Sequence, residues 1–136
     1  MTDVAAGAVA RSAMQAVERG AREDWLGLFA ADATLEDPVG GAPGRRGTAA
    51  IAEFWDAGIA ILDAVRFDVR RVHEAPGEAL VLADVSIRAP GGASARYDAA
   101  IHYRLDDAGG IASLRAFWDL PDVVAQLAAA QVRGPE

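Results

Sequence analysis

The sequence predicts an α+β domain in which helices cover one face of a curved antiparallel sheet. Two observations predict this class. In the first half of the chain apolar residues recur at helical spacing, whereas the second half alternates apolar and polar residues between turns rich in glycine and proline. Helices followed by a run of consecutive strands are typical of α+β domains.

The first half of the chain contains three predicted helices and one short strand. The first helix covers residues 4–19 and ends at Gly20, because glycine readily terminates a helix. The elements that follow are a second helix at 21–30, a short strand that reaches Asp37, a turn-rich loop at 40–47 and a third helix that Thr48 caps.

The second half is predicted to form an antiparallel meander followed by a helix. The predicted strands are 65–74, 78–89, 94–106 and 110–119, and the last helix is 121–131. Alternate residues of these strands are apolar and include small ones such as Ala99 and Ala116, which leave room for a ligand. The same pattern is also typical of an ordinary hydrophobic core beneath helices.

Composition excludes several classes of function. A chain of 136 residues fits one domain, 1–136, and a net charge of −7 argues against binding nucleic acid. All 13 basic residues are arginines, so a lysine Schiff base is excluded, and there is no cysteine. The two histidines, His73 and His102, lie on different predicted strands, so we expect no metal site. No signal sequence or membrane-spanning stretch is recognisable, and we expect a cytoplasmic protein without membrane contact.

Asp37 is the candidate catalytic residue, because it alternates with the apolar residues Ala33 and Leu35 on the predicted buried face of a strand. A carboxyl group on such a face resists ionisation, so its pKa is expected to rise toward neutrality, where it can accept and return protons. Pro38 favours extended backbone at Asp37 and ends the local pairing. The alternative is a turn aspartate that caps the following Pro-Val-Gly-Gly.

Asp84 lies in the middle of a predicted strand, and either face of that strand could be internal. If Leu80 and Leu82 line a pocket, Asp84 is a second acid in it. Otherwise it meets water or an arginine across the sheet, such as Arg96 or Arg104.

Four segments carry a resemblance to a known family: 28–30 (Leu-Phe-Ala), 32–40 (Asp-Ala-Thr-Leu-Glu-Asp-Pro-Val-Gly), 47–55 (Gly-Thr-Ala-Ala-Ile-Ala-Glu-Phe-Trp) and 113–119 (Ser-Leu-Arg-Ala-Phe-Trp-Asp). Together they resemble the ketosteroid isomerases and their SnoaL-like relatives in the nuclear-transport-factor-2-like superfamily. The resemblance covers nearly the whole chain. It implies a cone-shaped, curved antiparallel sheet packed against three N-terminal helices, also described as a cystatin-like α+β barrel.

The resemblance implies that Asp37 is the general base of a cofactor-independent proton transfer. The family's oxyanion tyrosine falls on Ala13 and its second, protonated acid on Ile101, while two supporting tyrosines fall on Phe29 and Trp55. All four positions are apolar here. Tyr103 is then the best remaining hydroxyl donor. Because one oxyanion donor is typically worth about a hundredfold to a thousandfold in rate, we expect weak steroid isomerase activity.

The family leaves three functions open: isomerisation or cyclisation of a steroid-like or polyketide-like substrate, epoxide opening with a second acid at Asp84 or Asp63, and ligand binding without chemistry. A retained acid on an apolar wall favours an enzyme. The predicted partners are a small hydrophobic molecule and a second copy of the chain, which would pair through the outer sheet face that carries His102. The residues expected to line the pocket are Ala13, Phe29, Phe54, Trp55, Phe67, Leu82, Ile101, Ala116 and Trp118. Trp25 is expected to lie away from the ligand.

Overall fold

The computed structural model describes residues 5–41 and 43–133, with side chains described through Ala129. Val4, which was expected to start the first helix, and Ala42 of the glycine-rich loop lie outside the described residues. Within these ranges no helix is both long and apolar enough to cross a membrane.

The helices lie where their apolar stripes predicted, with two corrections, at the end of the second helix and at the start of the third. Helix α1 is Ala6–Arg19, and it ends at Gly20, whose left-handed backbone directs its N–H to the carbonyls of Ala16 and Val17. Helix α2 is only Arg22–Leu26, so the predicted extension to residue 30 is wrong. The helix ends at Gly27, and Phe29, two residues later, pairs with Ile111 in the sheet.

Helix α3 is Thr48–Phe54, and a π-helical turn, Trp55–Ile59, continues it. Gly47 occupies the N-cap position, and Thr48 is the first helical residue instead of the cap. Helix α4 is Leu120–Arg133, which starts one residue before the predicted boundary.

Six strands form one sheet in the order β2-β1-β6-β5-β4-β3. Their bounds are β1 Phe29–Glu36, β2 Arg45–Arg46, β3 Ala64–Ala75, β4 Glu78–Arg88, β5 Ser94–Leu105 and β6 Ile111–Phe117. Strands β3 to β6 form the predicted antiparallel meander, but β1 runs parallel to β6, so the sheet is mixed. The short strand β2 was not predicted, because it lies inside the glycine-rich loop.

One face of the curved sheet packs against the helices and forms the core, which confirms the predicted α+β class. Strand β4 directs Val81, Ala83 and Val85 to this inner face, and all three are buried. A bulge in β3 between Val69 and Arg71 interrupts its pairing with β4, and bulges of this kind bend a strand. The bend lets the sheet curve around the space beneath α1.

Candidate active site

A cavity of about 370 Å³ lies between the inner face of the sheet and the helices. Its wall is almost entirely apolar. Alternating residues of β3 to β6 form its floor, α1, α2 and the π-helical turn with its flanking residues cover it, and α4 closes one side. Val124 of α4 lines the cavity and is nevertheless 55% exposed, so the cavity meets solvent beside this helix.

Asp37 is the only charged residue on the cavity wall within the described part of the chain. It follows directly after Glu36, the last residue of β1, and its peptide bond to the buried Pro38 is cis. Ala33 and Leu35, which precede it on the same face, are 0% and 1% exposed. The alternation along β1 therefore places the carboxyl group of Asp37 on the apolar wall of the cavity.

Among the described residues, one side chain donates a hydrogen bond to the carboxyl group of Asp37, and burial strongly raises the pKa of this group. The indole Nε1 of Trp118 donates to its Oδ1 over 2.5 Å. Burial raises the pKa of Asp37 from 3.8 to about 6, and the indole N–H partly opposes this because it favours the charged form. A carboxyl group with this pKa exchanges protons readily near neutral pH.

Two tyrosines on strand β5 bring hydroxyl groups into the same cavity. Tyr97 stacks on the indole of Trp118, with ring centroids 4.7 Å apart, and Tyr103 is 3% exposed beside Leu114. Neither hydroxyl makes a hydrogen bond to another described residue. Burial, with a smaller contribution from the negative charge of Asp37, raises the pKa of both tyrosines, so both remain neutral donors.

Most of the residues that the sequence placed at the pocket do line the cavity. They are Ala13, Asp37, Phe54, Phe67, Ile101, Tyr103, Ala116 and Trp118. Ala13 and Ile101, on which the resemblance places the family's oxyanion donors, are 1% and 6% exposed and contribute only apolar surface.

Phe29 and Trp55 do not line the cavity, so their predicted placement is wrong. Both pack behind Trp25, with ring centroids 4.6 Å and 5.2 Å from it. Trp25 was expected to lie away from the ligand, but it lines the cavity. Phe54, which stacks on Trp25, lines the cavity as well. The shortened helix α2 explains the difference, because it turns Trp25 inward and leaves Phe29 in the sheet.

Leu82 and Asp84 lie on the outer face of β4, so their predicted placement in the pocket is also wrong. Their neighbours Val81, Ala83 and Val85 occupy the inner face, and side chains alternate along a strand. Asp84 lies 3.5 Å from Arg70 and 3.6 Å from Arg96, which is the arginine alternative that the sequence left open. Asp63 is exposed just before β3 and does not line the cavity either.

Sequence reasoning missed the contribution of α4. This helix places Leu120, Val123, Val124 and Leu127 on the cavity wall. Apolar residues at these spacings predict an amphipathic helix, but nothing in the sequence says which part of the sheet the helix covers. In the structure, Gln126 attaches α4 to β5. Its side chain accepts a hydrogen bond from the Arg96 backbone N–H and donates one to the Arg96 carbonyl, each over 2.9 Å.

The chain is similar to known proteins over most of its length. A family model described as SnoaL-like domain matches residues 10–114. A Δ5-3-ketosteroid isomerase from Mycobacterium sp. is 32% identical, with a TM-score of 0.80 and coverage of 88% of this chain and 97% of that one. The protein RV0760c from Mycobacterium tuberculosis, solved with estradiol-17β-hemisuccinate, is 26% identical, with a TM-score of 0.80 and coverage of 86% and 95%.

A computationally designed 17-OHP binder is also 26% identical, with a TM-score of 0.79 and coverage of 86% of this chain and 95% of that one. These similarities agree with the observed architecture, which is the nuclear-transport-factor-2-like fold.

Proposed function

Because this chain belongs to the SnoaL-like domain family, we propose that it is a cofactor-independent enzyme in which Asp37 moves a proton between carbon atoms of a hydrophobic substrate. One observation carries the proposal: the single charged residue on the described wall of an apolar cavity is a carboxyl group with a pKa near neutrality. Such a group is half ionised near pH 6, so it can both remove and return a proton.

The proposed reaction is an allylic proton shift in an unsaturated ketone. The Asp37 carboxylate removes a proton from the carbon next to the carbonyl group, the electron pair of that C–H bond moves toward the carbonyl oxygen, and a dienolate forms. The protonated Asp37 then returns the proton to the far carbon of the dienolate, so that the double bond becomes conjugated. Trp118 holds Oδ1 in place during both transfers, which leaves Oδ2 to carry the proton.

The dienolate oxygen needs a hydrogen-bond donor, and we assign this role to Tyr103. Its hydroxyl group makes no hydrogen bond to another described residue, and its raised pKa keeps it protonated. Ala13 and Ile101 cannot donate a hydrogen bond. Neutral tyrosine hydroxyl groups are the only hydroxyl donors on the described wall, and both family donor positions are apolar, so turnover of a ketosteroid should be slow.

A steroid-like or aromatic polyketide-like substrate fits the cavity best. Trp25, Phe54, Phe67 and Trp118 supply flat aromatic surface, whereas Ala13, Ala99 and Ala116 leave space between them. The similar proteins support this class, since they include a ketosteroid isomerase, a protein solved with an estradiol derivative and a designed binder of 17-OHP.

Epoxide opening by two acids is not supported as an alternative, because Asp84 and Asp63 both lie outside the described cavity wall. Ligand binding without chemistry is the second candidate. The specific observation that favours it is the apolar side chain at each family donor position, Ala13 and Ile101.

The test is the conversion of 5-androstene-3,17-dione to its conjugated isomer, followed by ultraviolet absorbance. We expect slow turnover by the wild type, at least a hundredfold less by Asp37→Asn and an intermediate loss in Tyr103→Phe. Asp63→Asn is the matched control, because it removes an exposed acid outside the cavity. Equal turnover by the wild type and Asp37→Asn would exclude the base. Binding of the steroid without any turnover would favour the binding module.

We also propose that the protein forms a homodimer through the outer face of the sheet. Phe117 is 42% exposed there, and Leu80, Leu82 and Ala100 extend the apolar surface between the strands. His102 and Glu78 pair across the same face over 2.8 Å. An apolar patch bordered by polar side chains suits a self-complementary contact.

A further inference from the structure

We propose that the cavity also binds hydrophobic amines, whose ammonium group would pair with the Asp37 carboxylate while their hydrocarbon part fills the apolar space. This extends the ligands beyond the neutral ketones of the proposed reaction. It concerns binding alone, so it does not depend on whether the protein is a catalyst.

Within the described part of the chain, the carboxylate in the cavity has no positively charged partner. No arginine or histidine lines it within the described residues, whereas the outer-face acid Asp84 has two arginines within 4 Å. Asp37 receives one hydrogen bond, from Trp118 to Oδ1, and Oδ2 accepts none from another described residue. An ammonium group of a ligand is therefore the missing partner of a carboxylate whose second oxygen is free.

The aromatic residues of the cavity wall favour a cation over an anion. Trp118 turns its N–H edge to the carboxylate, and Trp25, Phe54 and Phe67 bring further rings to the same wall. The faces of such rings attract cations, and the attraction is stronger at desolvated sites. The net charge of −7 adds a weaker general attraction for cationic ligands.

The pKa values of an alkylamine and of Asp37 also favour an ion pair between them. A primary alkylamine has a pKa of about 10, close to that of a lysine side chain, whereas the pKa of Asp37 is about 6. Between these values the free amine is an ammonium ion and Asp37 is a carboxylate, so the ion pair forms without any change of protonation. Below pH 6 Asp37 takes up a proton, and the affinity should fall by up to tenfold per pH unit.

Among the described wall residues, no other group changes its charge over this pH range. Strand β5 presents Tyr97 and Tyr103 to Asp37, and burial raises the pKa of both, so they stay neutral. The wall residues from the remaining helices and strands carry no titratable side chain apart from Asp37 itself.

Three ligands of one shape test the proposal: adamantane-1-amine, 1-adamantanol and 1-adamantanecarboxylate, each titrated into the full chain by calorimetry at pH 8 and pH 5. At pH 8 we expect the amine to bind at least tenfold more tightly than the alcohol, and the carboxylate to bind most weakly. At pH 5 the preference for the amine should shrink. None of these ligands has an enone, so the result is independent of turnover.

The variants locate the charge that makes the difference. In Asp37→Asn the amine should lose its preference while the alcohol still binds, which also shows that the cavity remains folded. Asp63→Asn should keep the wild-type preference. The proposal is overturned if the amine and the alcohol bind the wild type equally at pH 8, if the amine does not bind, or if Asp37→Asn retains the preference.

Discussion

The indole Nε1 of Trp118 donates a hydrogen bond to Oδ1 of Asp37, although 81 residues separate them in the chain. The two residues meet because β1 and β6 are parallel neighbours, paired in register through Leu35 with Leu114 and Glu36 with Arg115. Asp37 and Trp118 each follow their strand by one residue, at the same end of the sheet. The bond favours the carboxylate, while burial favours the neutral acid, and these opposed effects set the pKa near 6.

Removing the indole N–H should shift the pH dependence of turnover. In Trp118→Phe the carboxylate loses its hydrogen bond, so the pKa of Asp37 should rise above its wild-type value. The profile of kcat/KM against pH should therefore reach its plateau at higher pH than in the wild type. Trp25→Phe is the control, since Trp25 lines the cavity but makes no hydrogen bond to Asp37. A larger shift in the control than in Trp118→Phe would contradict this role.

Asp37 should make the folded protein less stable as the pH rises. Its folded-state pKa is raised from 3.8 to about 6, so its contribution to stability is fully present below pH 3.8 and is lost as the pH rises through 6. The loss is at most about 3 kcal/mol, the energy equivalent of the difference between the two pKa values. The free energy of unfolding of Asp37→Asn minus that of the wild type should therefore be larger at pH 8 than at pH 4.

Chemical denaturation of the wild type, Asp37→Asn and Asp63→Asn at both pH values measures this effect. Asp63→Asn should track the wild type, because Asp63 is exposed. If the difference in unfolding free energy between Asp37→Asn and the wild type is the same at pH 4 and pH 8, Asp37 is not buried in its charged form as described.

The sequence was sufficient for the fold class and for the acid at its centre. Alternation placed Ala33, Leu35 and Asp37 on one face, and both alanine and leucine are buried there. The strands of the meander were predicted within a few residues, because proline and glycine turns separate them clearly. Ala13 and Ile101, which the resemblance assigned to the pocket, line the cavity.

What the sequence could not decide were contacts between elements that are distant in the chain. Leu80 and Leu82 make one face of β4 apolar over its first half, while Val81 and Ala83 make the other face apolar, so the local pattern alone did not decide whether Val81 or Leu82 faced inward. The parallel pairing of β1 with β6, and the position of α4 on the cavity, also depend on long-range packing. Trp25 was expected to lie away from the ligand because α2 was predicted to continue to residue 30. The helix ends at Gly27 instead, and a single glycine is a weak indication of where a helix ends.

Restoring the two family donors should raise steroid isomerase activity. Ala13 and Ile101 both line the cavity that contains Asp37, so Ala13→Tyr combined with Ile101→Asp would place a phenol and a carboxylic acid there. We expect a rate increase of about a hundredfold or more in a folded double variant. Ala13→Phe with Ile101→Leu is the control, because neither replacement can donate a hydrogen bond. Equal rates for both double variants would show that these positions do not reach the substrate oxygen.

The proposed dimer predicts that a charge at Phe117 disrupts self-association. Phe117→Arg places a charge on the apolar outer face, where it would be buried against a second copy. Sedimentation at micromolar concentration should show a dimer for the wild type and a shift toward monomer for this variant. Ile61→Arg is the control, because Ile61 is 56% exposed in the turn that joins the π-helical turn to β3 and is not part of a strand. A monomeric wild type would exclude the dimer at these concentrations.

The most direct test of Asp37 as a proton-transfer base is the titration of its own carboxyl group. Aspartate side-chain carboxyl carbons can be followed by NMR from pH 3 to pH 9 in the wild type, with Asp37→Asn used to assign the signal that disappears. We expect this signal to titrate near 6, well above an ordinary aspartate. A midpoint near 4 would mean that Asp37 is an ordinary solvated turn aspartate, and the proposed base would be wrong.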